Sequence, residues 1–225
     1  MFWDPTFILL IPVVIFAFYA QMKVKSTYAK YLRVPAQRGL TGAEAARRLL
    51  DAAGLSAVGI QTTPGQLSDH YDPRKRALFL SEDNYSGRSV AALGVACHEA
   101  GHAIQHAQAF GPLAVRQAIW PVASFGSNLA WPLFFIGLLF SIPMLMNVGI
   151  LVFLVAAFFA IVTLPVEFDA SSRAIKLLAQ HGIVTREEQG HARAVLNAAA
   201  LTYVAAALMA IMTLVRMLIL RNSRD

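Results

Sequence analysis

Two histidines and a glutamate stand together near the middle of the chain, in the order His98-Glu99-Ala100-Gly101-His102. This order matches H-E-x-x-H, in which two imidazoles bind one zinc ion and the glutamate acts on a metal-bound water. Residues four apart share one helical face, so both rings can reach the same ion. Three protein ligands leave zinc a water whose pKa is about 7. We therefore expect His98 and His102 to bind metal, and Glu99 to carry the water's proton to a leaving amine.

The segment that carries this motif has the pattern of a buried helix. Ser89 is suited to begin it, and it should end before Gly111. Its residues are apolar nearly all round, which is typical of a helix inside a core. The alternative function of the motif is a pair of structural histidines, but a buried trio of this kind needs partners or a metal. His106 continues the series of four, and we place it at the rim of the site. Cys97 is expected to be a small apolar filler.

A catalytic zinc site needs a third protein ligand. The histidines outside the helix are His70, His181 and His191. Two carboxylates stand out, Glu167 and Asp169, just after an apolar run that ends in Pro165-Val166. Pro165 suits the first turn of a new helix or a kink. The alternative is that both carboxylates only favour the positive N-terminal end of that helix. The residues alone leave this choice open.

The composition indicates a membrane protein. Of 225 residues, 57% are hydrophobic and 14% are charged, whereas an ordinary soluble domain has about 25% charged residues. This excludes a disordered chain, a collagen-like chain and a typical soluble enzyme. The net charge is +6, but the basic residues are too unevenly spread for a nucleic-acid surface. A single cysteine excludes an internal disulfide framework.

Three stretches of the chain carry no charged residue, namely 5–22, 117–166 and 194–215. A membrane-spanning helix needs about 20 mostly apolar residues. The first stretch is expected to be a retained anchor, with Trp3 and Tyr19 at the two interfaces. The second is too long for one span, and the break near Pro143 predicts two helices, about 120–142 and 148–165. The third is long enough for one membrane span, and the alternative is a buried core helix.

Lysine and arginine are gathered in two segments, with twelve between Lys23 and Arg116 and four between Arg173 and Arg193. Basic loops stay cytoplasmic, so we expect both segments to face the cytosol and the turn at 143–148 to face outside. Four spans would put the C-terminus outside as well. The basic residues at the end of the chain argue against that, and the sequence leaves it open. They are Arg216, Arg221 and Arg224.

The first polar segment also has elements of its own. A basic stretch from Lys23 predicts a juxtamembrane helix at anionic headgroups, or a solvated marker of the cytosolic side. Thr41-Gly42-Ala43-Glu44 is a capping box that opens a helix ending near Gly54. Short strands near 58–62, 67–71 and 76–80 predict a small antiparallel sheet whose edge could bind an extended peptide. Thr185-Arg186-Glu187-Glu188 is a second capping box, at the start of the last helix.

These observations define a fold class. We predict an α+β integral membrane protein, mainly helical, with about four transmembrane helices and a small antiparallel sheet in a cytosolic cap. The predicted segments are an anchor at 1–22, a cytosolic metallopeptidase region at 23–118, two transmembrane helices at 119–166, a cytosolic segment with the candidates for the third ligand at 167–197, and a transmembrane or buried helix at 198–220.

Several longer motifs make the chain resemble a known family. They are Gly39-Leu40-Thr41-Gly42, Asp69-His70-Tyr71-Asp72-Pro73, the run from His98 to His106, the run from Leu164 to Ser171, and the run from Ala199 to Ala206. With them the chain resembles the YugP-like neutral zinc metallopeptidases, small bacterial membrane proteins related to the gluzincin proteases. The resemblance covers nearly the whole chain.

The resemblance implies roles for further residues. Gluzincins take their third zinc ligand from a glutamate on a second helix, which corresponds to Glu167. The wider membrane-protease pattern has an aspartate four residues later, where this chain has Ser171, so Asp169 becomes the candidate for orienting a ligand. Supporting or substrate-binding roles are expected among His106, His70, Tyr71, His191 and Tyr203, with His191 and Tyr203 as candidates for stabilising an oxyanion.

The sequence therefore predicts a zinc-dependent endopeptidase of the bacterial cytoplasmic membrane, with one zinc ion per chain and an active site facing the cytosol. Its partners would be a peptide or protein substrate, the lipid bilayer and other membrane proteins, and no nucleic acid. The alternative is a membrane scaffold or assembly factor that binds zinc without catalysis. A transporter is disfavoured because the proposed spans lack the charged residues of an ion pathway.

Overall fold

Helices dominate the computed structural model, which describes residues 5–223. The elements in chain order are a 3-10 helix Pro5–Leu10, α1 Ile11–Leu32, α2 Gly42–Ala52, β1 Gly59–Thr63, β2 His70–Asp72, β3 Ala77–Ser81, α3 Glu82–Tyr85, α4 Val90–Ala107, α5 Gly111–Leu139, α6 Pro143–Gln180 and α7 Arg186–Asn222. The expectations for Trp3 and Arg224 lie outside the described residues.

Four helices of the described chain are long and apolar enough to cross a membrane: α1 together with its preceding turn, α5, α6 and α7. This confirms the predicted number. The long charge-free run does divide in two, because α5 ends at Leu139 and α6 begins at Pro143, where a proline suits the first helical turn. No new helix begins at Pro165, which lies inside the unbroken α6.

The chain forms two compact units. The first comprises Met1–Gln21, Ala114–Pro165 and Thr202–Asp225, and the second comprises Met22–Leu113 and Val166–Leu201. The transitions fall inside α1, α5, α6 and α7, so the long helices each contribute to both units. The residues of the H-E-x-x-H motif and both candidate carboxylates belong to the second unit.

The first unit is a helical cluster built from α1, α5, α6 and α7. Its buried core contains Phe134 of α5, Met146 and Phe153 of α6, and Met217 of α7. Near the C-terminal end of α7, Arg216 donates from Nε to Thr6 Oγ1 at 3.2 Å. The beginning and the end of the described chain therefore lie at the same end of this unit.

The sheet of the second unit is mixed, with the strand order β1-β3-β2. β2 and β3 pair antiparallel, as expected, around a turn in which Asp72 Oδ1 accepts from the backbone N–H of Arg74 at 2.8 Å. The prediction of antiparallel pairing is wrong for β1, which runs parallel to β3. β3 is the central strand and the most buried of the three. Only β1 and β2 therefore have a free edge within the sheet.

The core of the second unit surrounds α4. The predicted capping box of α2 is present, with Thr41 and Glu44 each accepting from the other's backbone N–H. Helix α6 approaches α4 closely at Gly101, where an added Cβ would lie 2.8 Å from the carbonyl oxygen of Ala170. This contact sets α6 directly against the H-E-x-x-H motif, and it needs a residue without a side chain.

Candidate metal centre

The motif lies on α4, whose first turn is capped as the sequence predicts. The Ser89 side chain accepts from the backbone N–H of Ala92 at 3.1 Å. The helix then continues to Ala107 without interruption, so the two histidines of the motif lie on one face, as residues four apart must. Glu99 and His102 are buried and His98 is largely so.

The third member of the group is Glu167, on α6. Its Oε2 lies 3.2 Å from His98 Nε2 and 3.6 Å from His102 Nε2. One ligand atom from each of the three residues lies within 4.8 Å of the others. Two imidazole nitrogens and one carboxylate oxygen are a donor set that binds zinc and leaves a coordination position open. The residues present therefore fit a zinc ion.

Each histidine of the group also uses its second ring nitrogen. His98 Nδ1 lies 3.1 Å from Ser171 Oγ, and His102 Nδ1 lies 3.0 Å from Gln105 Oε1. Metal-binding histidines usually make such a bond with the nitrogen that faces away from the metal, which fixes the ring's orientation and tautomer. Ser171 thus contacts His98 from the position where the wider membrane-protease pattern has an aspartate.

The hydrogen bonds of Gln105 determine the tautomer of His102. Gln105 is fully buried, and its Nε2 donates to Val166 O and to Asp169 Oδ2, each at 2.8 Å. A backbone carbonyl and a carboxylate are acceptors, so the amide NH₂ must face them and Oε1 must face His102. An amide oxygen accepts only, so His102 must carry a proton on Nδ1. Its Nε2 is then the ring nitrogen that faces Glu167 and would bind an ion.

Asp169 is not grouped with the two histidines but reaches His102 through Gln105. Its Oδ2 also accepts from Arg173 Nε, and Arg173 Nη1 donates to Gln108 Oε1. The guanidinium carbon lies 5.7 Å from the centre of the Phe110 ring. A chain of hydrogen bonds therefore runs from the partly exposed Arg173 through Asp169 and Gln105 to the buried His102.

The electrostatics of the motif suit proton transfer. Burial raises the pKa of Glu99 above its ordinary value, although the nearby imidazoles of His98 and His102 oppose the shift. Burial lowers the pKa of His102, but its hydrogen bond to Glu167 and the charge of Glu99 outweigh this, so the net pKa is raised. A carboxylate with a raised pKa is a better proton carrier near neutral pH.

The supporting residues predicted on β2 and the end of α4 are not part of the ligand group. Tyr71 OH lies 2.9 Å from His106 Nδ1, which joins β2 to α4 one turn beyond the motif. His70 is exposed and stacks on Phe79 with 5.0 Å between ring centres. Asp69 accepts from Ser81 N at 2.8 Å and so fixes the loop before β2.

The two candidates for stabilising an oxyanion are not members of the group formed by His98, His102 and Glu167. His191 stacks against Tyr31, with ring centres 4.8 Å apart. Its Nδ1 is buried and has no hydrogen-bond partner among the described residues. Tyr203 lies on α7, in the part of that helix that belongs to the first unit.

Sequence reasoning missed Gln105 and Arg173. A signal for Gln105 was present, because it lies three residues after His102 on the same face of a helix that is otherwise apolar. A buried amide of this kind needs hydrogen-bond partners. No comparable signal marks Arg173, whose partners are set by the packing of α4 against α6.

Comparison with known proteins agrees with this geometry. A family model described as "Putative neutral zinc metallopeptidase" matches residues 6–222. The chain is 48% identical over 210 residues to the "Putative membrane protease YugP" of Bacillus subtilis strain 168, and the match covers 93% of each chain. No solved structure gives a significant match. The relative's printed name places it in a membrane, in agreement with the four apolar helices seen here.

The family match spans nearly all of the chain, and His98, His102 and Glu167 form the donor group that a zinc peptidase requires. The chain belongs to the family described as neutral zinc metallopeptidases, and it is a membrane protein with a zinc-type donor group.

Proposed function

We propose that the protein is a membrane-embedded zinc endopeptidase that hydrolyses peptide bonds of membrane or misfolded proteins at the cytosolic face of the bacterial membrane. The observation that carries this proposal is the convergence of His98, His102 and Glu167, from two helices, around one point. Glu99, on the same turn as His98, adds a buried carboxylate.

In this proposal each residue has one task. His98, His102 and Glu167 would hold the ion through Nε2, Nε2 and a carboxylate oxygen. When bound, zinc supplies a water of low pKa and a Lewis acid for the scissile carbonyl. Glu99 takes the proton of the attacking water and delivers it to the leaving amine, a role that its raised pKa supports. Ser171 and Gln105 hold the two rings in orientation.

The substrate is proposed to bind along the free edge of β2. Strand addition satisfies the backbone of an extended peptide without demanding a particular sequence. The region around 76–80 is no longer a candidate edge, since β3 is paired on both sides. β2 is favoured over β1 because the Tyr71–His106 hydrogen bond attaches it to the helix that bears the motif.

The cytosolic orientation rests on the charge pattern. Twelve basic residues lie between Lys23 and Arg116 and four between Arg173 and Arg193. All but Arg116 belong to the second unit, which also contains the ligand group. Segments rich in lysine and arginine stay on the cytosolic side, which supports placing the site there.

The test compares the wild-type protein with Glu99→Gln, both purified at full length in lipid nanodiscs. We expect about one zinc ion per chain in each, and cleavage of an unfolded protein substrate by the wild type only. Loss of the proton carrier should lower the cleavage rate by a factor of about 10² to 10⁴. Equal cleavage by both proteins would show that the mechanism is wrong.

A second outcome separates the peptidase from the non-catalytic alternative. If the wild type holds zinc but cleaves neither unfolded nor membrane substrates, a zinc-binding scaffold or assembly factor would be favoured. The variant His102→Ala serves as the control for metal, because it should lose both zinc and cleavage while Glu99→Gln loses cleavage alone.

A further inference from the structure

A cavity of about 500 Å³ opens between α6 and α7 within the second unit. Its walls include Ser171, which contacts His98 at Nδ1. Nε2, on the other side of the same ring, faces Glu167. The cavity therefore lies behind His98 and is separate from the point where an ion would be held.

The cavity carries positive charge that the described residues do not neutralise. Lys176 and Arg193 both line it, and no carboxylate does. Neither side chain forms an ion pair within the described part of the chain. The acidic residue nearest to Arg193 in sequence is Glu188, whose carboxylate is engaged by the backbone N–H groups of Gln37 and Thr185. The two cations are therefore available to an anionic ligand.

The lining also changes character along the helices. Phe168 and Ala200 form the end of the cavity that borders the apolar stretches of α6 and α7. Lys176 lies eight residues beyond Phe168, and Arg193 lies seven residues before Ala200. At a rise of about 1.5 Å per residue, each cation is about 10–12 Å from the apolar end. Hydroxyl and amide groups, from Ser172 and Asn197, lie between.

This order of apolar, neutral polar and cationic groups matches the order of acyl chain, ester and phosphate in a phospholipid. Basic pockets between spanning helices on the cytoplasmic side are a recognised form of site for anionic lipid headgroups. We propose that the cavity between α6 and α7 binds the phosphate of an anionic phospholipid, with Lys176 and Arg193 as its ligands. The site does not depend on the peptidase activity.

The test measures lipid retention by native mass spectrometry of the full-length protein, using nanodiscs of phosphatidylglycerol mixed with phosphatidylcholine. The wild type should retain phosphatidylglycerol selectively. The double variant Lys176→Gln/Arg193→Gln should bind it about 30-fold more weakly, given about 1 kcal/mol for each basic residue at a charged membrane surface. The matched control Arg74→Gln/Arg186→Gln removes two exposed cations outside the cavity and should behave like the wild type.

Two results would overturn the proposal. One is equal retention of phosphatidylglycerol by the wild type and by the variant at Lys176 and Arg193. The other is displacement of the lipid by millimolar inorganic phosphate, which would show that the cavity takes free anions. Zinc content is measured for every variant. If the double variant loses zinc, the single variants Lys176→Gln and Arg193→Gln replace it, and each should weaken retention about fivefold.

Discussion

Gln105 shows how much of the site depends on a single side chain without exposed surface. Its oxygen faces His102, and its nitrogen donates to Val166 O and Asp169 Oδ2. Every hydrogen-bonding group of the amide has a partner. An unpaired polar group in this buried environment would cost free energy of folding. If the amide were reversed, its NH₂ group would face the protonated Nδ1 of His102, and its oxygen would face the acceptors Val166 O and Asp169 Oδ2. Only one orientation of the amide is therefore compatible with the packing.

The first prediction follows from this orientation. Gln105→Leu preserves the approximate volume but leaves His102 Nδ1 and Asp169 without their partner. We expect zinc affinity to fall about 10–100-fold, the usual cost of losing the group that orients a metal-bound histidine. Competition with a chromophoric chelator measures this affinity directly, independently of cleavage. Unchanged affinity would remove Gln105 from the positioning of the site.

Two variants distinguish a Gln105 that orients His102 through hydrogen bonds from a Gln105 that only fills space. In Gln105→Glu the new carboxylate faces Asp169 and cannot donate to it, so we expect weaker zinc binding and a lower thermal midpoint. Adding Asp169→Asn restores a donor opposite that carboxylate and should recover part of both losses. If the double variant is no better than Gln105→Glu alone, the proposed line from Asp169 to His102 is wrong.

At the scale of elements, the site exists because α4 and α6 approach closely. One point of close approach is Gly101, which lies between the two histidines of the motif and faces the backbone of Ala170. Glu167 comes from the same part of α6. The spacing of the two helices therefore sets the distance between the histidine and carboxylate ligands.

The second prediction is that Gly101→Ala separates these helices. The added Cβ would lie 2.8 Å from Ala170 O, and a backbone atom cannot move aside as a flexible side chain can. Overpacking of this kind costs about 1–3 kcal/mol of unfolding free energy. Zinc geometry tolerates shifts of only about 0.2 Å, so we expect zinc affinity to fall at least tenfold.

Gly94→Ala is the matched control on the same helix. A Cβ there would lie 3.5 Å from the Cβ of Ala192, which is ordinary contact. Replacing a glycine inside a helix by alanine also stabilises the helix by up to about 1 kcal/mol. We expect a thermal midpoint equal to or above that of the wild type, with zinc affinity unchanged. Equal zinc affinity in the Gly94 and Gly101 variants would contradict the proposed role of the close approach.

Sequence patterns predict the elements better than their arrangement. Ser89 and the capping box at Thr41 locate helix starts because a cap is a local hydrogen bond. The parallel pairing of β1 with β3 could not be predicted, since it depends on which strand is most buried and not on a turn. The choice of Glu167 over Asp169 likewise depends on the packing of α6 against α4, although the family resemblance already favoured Glu167.

At the scale of the whole molecule, the side of the membrane on which the C-terminus lies depends on whether α7 crosses the bilayer. Arg216 bonds Thr6, and its guanidinium lies 5.3 Å from the ring centre of Phe7 and 5.5 Å from that of Trp131. Stacking on aromatic faces is a favourable environment for a guanidinium. Arg216 is thus engaged by side chains of its own unit, and it is not a free loop charge of the kind that determines orientation.

The third prediction is therefore that the two termini lie on the same side of the membrane. Contact between Thr6 and Arg216 places the start and end of the described chain at one end of the first unit, as an even number of spans requires. Cysteines introduced by Ser223→Cys and in a short tag before the N-terminus should react with a membrane-impermeant maleimide in intact cells. Arg74→Cys, in the turn between β2 and β3, should react only after permeabilisation because basic segments stay cytosolic.

The native thiol does not interfere with this measurement, because Cys97 is buried and burial raises its pKa, so little reactive thiolate forms. Equal labelling of the wild type before and after permeabilisation provides the baseline. If Ser223→Cys labels together with Arg74→Cys, α7 does not cross the bilayer in the cell. The bond between Thr6 and Arg216 would then be incompatible with an anchor that spans the membrane once. The four-span topology would have to be abandoned. The cytosolic location proposed for the zinc site has its own readout, labelling of Arg74→Cys only after permeabilisation, because Arg74 and the ligand group belong to the same unit.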